Sequence, residues 1–214
     1  MMKKYLFFII TVSLFSCTSI RHDDFWFLDY DKNYNRVATI FDKYIGFFPS
    51  NKISNCISCT WSLNPKVEYN LKVIFSFSEN NFKLKQQEII KKSIAEYTVS
   101  DDSLLILNRF STHENYGYPS EQEILSDIIE QDYFKLLKPI PNFSNFSLYQ
   151  TNNNLCKLKD DFIIYVLDAK PGKFLDDQKL TKGKYMPSTW KNGYSKGVAI
   201  SEQRKEMIFW VIIW

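Results

Sequence analysis

Histidine, glycine, one-sided charge and long apolar runs are what this chain has least of. Its two histidines are His22 and His113. His113-Glu114 has no second histidine four residues on, so neither belongs to an H-E-x-x-H metal helix, and no metal is expected. The 6 glycines form no Gly-rich phosphate loop, which removes the usual cradle for a nucleotide, and no cofactor is expected. Lys+Arg number 27 against 24 Asp+Glu, and no basic run exceeds a pair such as Lys91-Lys92 or Arg204-Lys205. A nucleic-acid surface needs clustered, uncompensated base, so that class is set aside. The apolar stretch Tyr5 to Leu14 covers about ten residues, half of the roughly 20 that a membrane-spanning helix requires.

Aromatic residues are abundant by contrast, with 18 Phe and 13 Tyr among 214 residues. A chain of this length and aromatic content can bury a substantial core, and one domain is the expected organisation.

The N-terminus carries the strongest signal. Met1-Met2-Lys3-Lys4 is a short basic segment, the apolar stretch follows, and Leu14-Phe15-Ser16-Cys17 closes it, the layout of a secretory signal. Polar Thr18, Ser19, Arg21, His22, Asp23 and Asp24 come directly afterwards. These residues resemble the bacterial prolipoprotein signal, whose lipobox ends in an invariant cysteine. Leu14, Ser16 and Cys17 fit it, while Phe15 is bulkier than the residue usual there. The resemblance implies acylation of Cys17, cleavage before it, and a membrane anchor of two or three acyl chains, which holds far better than one. An ordinary signal peptide cut near Ser16 would instead leave Cys17 in the fold. Removing residues 1–16 takes away Lys3 and Lys4, so the mature chain would carry 25 basic against 24 acidic residues, near neutrality. Thr18 rather than Asp follows the cysteine, so the resemblance implies outer-membrane placement, facing the periplasm or the outside. Residues 17–30 then form a lipidated tether, and 31–214 a single globular domain.

Within that domain, apolar residues at helical spacing from Tyr34 to Ile45 predict a helix over about 33–45. Val67 to Phe77 alternates with period two, the clearest strand pattern in the chain. A helix capped by Asn80 or Asn81 should run to about Ser93. Ala95–Val99 and Leu104–Asn108 flank the polar Ser100-Asp101-Asp102-Ser103, a hairpin pattern. Ser120 opens a capping box for a third helix, ended by Pro139 and Pro141. Phe162–Leu167 is a buried-type strand, and Tyr194–Ser201 should pair with Met207–Trp214. The expected fold is α+β: a mostly antiparallel sheet with about three helices.

Four motifs bear on chemistry. Gly193-Tyr194-Ser195-Lys196-Gly197 matches the G-x-S-x-G of serine hydrolases, but Val198-Ala199-Ile200 continues as a strand, and both histidines precede Ser195 where the hydrolase order needs one after it. Ser195 is therefore expected at the start of a strand. Cys56-Ile57-Ser58-Cys59 is a C-x-x-C without a following helix to lower a thiol pKa. In an exported chain a structural disulfide between Cys56 and Cys59 is the leading account; free thiols, a redox role or zinc are the others, and Cys156 leaves the count odd. The pairs Asp101-Asp102, Asp160-Asp161 and Asp176-Asp177 could serve an envelope hydrolase if they lined a cleft with a raised pKa. Trp190 and Trp214 could serve a glycan-binding module if their rings lay open, though core packing of the last hairpin explains them more simply. The stretch Trp190 to Ser201 resembles the tail of small bacterial lipoproteins, with no activity attached. The expectation is a non-enzymatic envelope lipoprotein acting by contact, with the membrane, an envelope protein or a glycan as partner.

Overall fold

Period-two alternation from Glu68 onward is realised as one of six strands in a single antiparallel sheet. The computed structural model describes residues 40–49, 52–64, 68–101, 104–107, 135–143, 149, 151, 154–180 and 186–214. Strand β1 is Ser54–Asn64, β2 Glu68–Phe77, β3 Ala95–Thr98, β4 Phe162–Pro171, β5 Gly193–Ser201 and β6 Glu206–Ile213; helix α1, Glu79–Lys92, joins β2 to β3. The spatial order is β1-β2-β6-β5-β4-β3, and every neighbouring pair is antiparallel.

This order makes α1 span the sheet. From β2 to β3 there are four inter-strand steps of about 4.8 Å, roughly 19 Å. Fourteen residues at about 1.5 Å each give a helix of roughly 21 Å, which matches the crossing. Both ends are tied down: Asn81 Nδ2 donates to the Ile53 carbonyl at 3.2 Å, and the Ile94 amide donates to the Val166 carbonyl at 2.8 Å. Ser78, not Asn80 or Asn81, occupies the N-cap.

Both faces of the sheet are covered, which explains why β6 reads as continuous apolar sequence. On the first face Tyr69, Leu71, Val73, Phe75, Val198, Met207, Phe209, Val211 and Ile213 pack under Phe82 and Ile89 of α1 and under Phe41, Tyr44 and Ile45. On the second face Ile164, Val166, Ala199, Ile208, Trp210, Ile212 and Trp214 pack under Leu104–Leu107, Ile140, Phe143, Leu158 and Trp190. Buried Lys72 lies among the second-face residues of β2, and its Nζ donates to the Asn142 carbonyl at 2.7 Å.

Three expectations change. Among the described residues there is one α-helix of more than a turn, not about three. The 33–45 pattern ends in a 3-10 turn, Asp42–Tyr44, its earlier residues lying outside the described set, as does the capping box at Ser120. Second, Ala95–Thr98, expected to pair with Leu104–Asn108, pairs with β4, and the described residues of the other segment, Leu104–Leu107, form no ladder with it. Leu104 to Leu107 are all buried, and Leu107 and Ile140 exchange amide bonds with the other segment at 2.9 Å: a run of four apolar side chains gains more by covering the second face than by forming an exposed hairpin. Third, β1 was not legible at all. A register shift between Cys56 and Ser58 interrupts its alternation, so Cys56, Cys59, Trp61 and Leu63 pack on one core at spacings of three, two and two.

Candidate functional site

A small cleft opens where the start of β1, the end of β2 and the first turn of α1 meet. Lys52, Ile53, Ser54, Asn55, Ser76, Ser78 and Asn81 line about 160 Å³, below the roughly 300–1,000 Å³ of ordinary ligand pockets. Its wall offers amide and hydroxyl groups and one cation, Lys52, beside the positive end of the helix macrodipole. Among the described residues no carboxylate, histidine or thiol lines it, so these residues supply neither a nucleophile with a base nor an acid–base pair. Glu79, in the same turn, is engaged elsewhere: it bridges Lys83 at 3.0 Å and Lys205 at 3.3 Å, and these bonds hold its carboxyl below the ordinary range. None of the cleft residues is marked by a motif, because three separate segments bring them together.

The G-x-S-x-G segment is built into the sheet. Gly193, Ser195 and Gly197 alternate along β5, and fully buried Ser195 donates its Oγ to the Pro139 carbonyl at 2.6 Å. The glycines exist to admit tryptophan rings. A Cβ at Gly193 would lie 2.9 Å from Trp214 Cζ2, and one at Gly197 would lie 2.5 Å from Trp210 Cζ2 and overlap the Tyr165 carbonyl oxygen. Each tryptophan thus lies over a strand position that has no side chain. Ser195 is in mid-strand with its oxygen committed, the opposite of an exposed nucleophile elbow.

The acidic candidates are spoken for as well. Asp161 accepts from Ser201 Oγ at 2.6 Å and from Arg204 Nε at 2.7 Å. Burial works against its charge, but these bonds more than offset that and hold its pKa below the usual carboxylate range. This tie braces the β5–β6 turn, where Lys205 takes a positive φ of 55°. Asp176 and Asp177 are exposed and pair with Lys179 and Lys173, and the Lys179 bond lowers Asp176. Neither Asp161 nor Asp176 is the raised-pKa carboxyl that a glycosidase acid needs. Asp160 accepts from Asn154 Nδ2 at 3.0 Å; Asp102 lies outside the described residues.

Trp190 and Trp214 are buried against each other, centroids 6.1 Å apart, and Trp214 Nε1 donates to the Trp190 carbonyl at 2.8 Å. Neither offers an open face to a sugar ring.

No disulfide joins Cys56, Cys59 and Cys156 to one another. Cys156 is buried on the second face and lies 3.7 Å from the Val99 carbonyl, remote in the fold from the first-face pair. Among the described residues no group of three or more His, Cys, Asp or Glu side chains could hold a metal. Cys17, His22 and His113 lie outside the described residues. No known protein family, curated protein or solved structure matches the chain.

Proposed function

We propose that the chain is a lipoprotein of the bacterial cell envelope, held on a membrane by acylated Cys17, whose α+β domain acts through contact with another envelope component and not by catalysis. The observation that carries this is Leu14-Phe15-Ser16-Cys17 at the end of a basic-then-apolar segment too short to span. The use of Ser195 and Asp161 in internal ties supports the non-catalytic half, since each is held in a bond that braces the sheet. Two or three acyl chains make such an anchor effectively permanent, and with Thr18 after the cysteine the lipoprotein resemblance implies placement on the outer membrane.

Intact-mass spectrometry and membrane fractionation of the wild type beside Cys17→Ala test the proposal. The wild type is expected to begin at Cys17 with added acyl mass and to sediment with membranes, while the variant is soluble or retains its leader. An unmodified wild type in the soluble fraction would return Cys17 to the fold and end the proposal.

A further inference from the structure

Cys56 and Cys59 owe their placement to a bulge and not to their spacing. Residues three apart in a regular strand point to opposite faces. Here Ile57 is the extra residue: Cys56 sits opposite Phe75 and Cys59 opposite Val73, and both cysteines pack against the first-face core. Partners two residues apart imply cysteine Cα atoms about 6.8 Å apart, at roughly 3.4 Å per residue. That is the outer limit of the roughly 4.4–6.8 Å that a disulfide spans. The two thiols feel one another, since burial and then the neighbouring Cys56 push the Cys59 thiol upward. Among the described residues β1 is also an edge strand, paired in the sheet only with β2, so its bulge can deepen without disturbing a second described ladder.

We propose that Cys56 and Cys59 are a reversible dithiol–disulfide pair, and that closing it tightens the β1 bulge and makes this edge of the sheet redox-sensitive. The oxidant is a disulfide, either of a small thiol or of a protein. The Cys56 thiolate, next to the exposed Ile57, attacks one sulfur of it and displaces a thiolate. Cys59, giving its proton to solvent, then attacks the Cys56 sulfur of the mixed disulfide and releases the second thiolate. The protein gives up two electrons and two protons, and the oxidant leaves as two thiols. Drawing the strand inward stores strain in the product, so the bond reduces readily, unlike a permanent structural bridge.

Purified full-length chain is equilibrated in oxidised and then reduced glutathione and read by intact mass, peptide mapping and amide hydrogen exchange. The expected result is a loss of about 2 Da in a Cys56–Cys59 linked peptide, fully reversed by reduced glutathione, with slower exchange of the β1 amides in the oxidised form. Cys156→Ala should keep the response, and Cys56→Ser and Cys59→Ser should each abolish it, so a folding failure of one variant leaves the other. A missing mass loss, a link to Cys156, a bond that resists reduced glutathione, or unchanged β1 exchange would each overturn the proposal. These readouts do not depend on where the chain resides and so stand or fall apart from the anchor.

Discussion

Gly197→Ala tests whether the G-x-S-x-G segment is a packing device. The added methyl would meet two obstacles: the Tyr165 carbonyl oxygen, part of the β4 backbone, and the Trp210 ring at 2.5 Å. Neither can yield easily. Tyr165 pairs with Val198 in the β4–β5 ladder, and Trp210 is completely buried, so its ring has nowhere to rotate in a close-packed interior. Overpacking of this kind costs about 1–3 kcal/mol, and a clash with backbone belongs at the upper end, about 3 kcal/mol. For a domain of this size each kcal/mol moves Tm by roughly 2–4 °C, so a fall of roughly 6–12 °C is expected. Thermal denaturation followed by tryptophan fluorescence measures it, and urea denaturation gives the loss in kcal/mol. Gly46→Ala is the control, because nothing lies within 4 Å of its added Cβ, and it should stay within about 0.5 kcal/mol of the wild type. Trp210→Ala in the Gly197→Ala background should give a combined loss smaller than the two single losses together by about 1 kcal/mol, since one of the two clashes disappears with the ring. A Gly197→Ala protein as stable as the wild type, or additive single losses, would refute the argument.

Ser195→Ala should cost about 1–3 kcal/mol by leaving the buried Pro139 carbonyl without its donor, and neither protein should react with a fluorophosphonate probe; labelling of wild-type Ser195 would contradict its burial. Alkaline pH should destabilise the fold. Burial holds the Cys156 thiol up at about 11, and burial followed by the Glu206 bond holds the Tyr149 hydroxyl up at about 12. Both folded values exceed the unfolded ones, so their contribution is whole below about pH 8.5 and is lost as pH rises through the folded values. Urea midpoints at pH 8 and pH 11 should show the fall, with Cys156→Ala flattening its lower part. Asp161 has the opposite sign: its lowered folded pKa contributes stability above about pH 3.9 that is lost as pH falls through the folded value. Asp161→Asn should therefore reduce the acid-limb dependence of the urea midpoint, and an unchanged acid limb would remove Asp161 from that role.

Local pattern was enough wherever one element's own side chains decided its state. The alternation up to Phe77, the helix ending near Lys92 and the C-terminal hairpin were all legible, because the periods of two and 3.6 follow from backbone geometry and from which side chains must be dry. The leader and the acylation of Cys17 that we propose rest on residue order alone, with no contact in the fold behind them. What the sequence could not carry was decided by contacts between distant segments. β1 exists because β2 offers it a ladder, and its bulge hides its period. Leu104–Leu107 abandoned an apparent hairpin for a buried face, and the distance that α1 crosses from β2 to β3 is set by the order of the sheet. Most plainly, G-x-S-x-G takes its meaning from Trp210, Trp214 and Pro139, none of them in the motif. Burial of a serine oxygen and the space above a glycine are properties of the packed interior, so only the tertiary structure could show that a motif resembling a nucleophile site is part of the wall of a core.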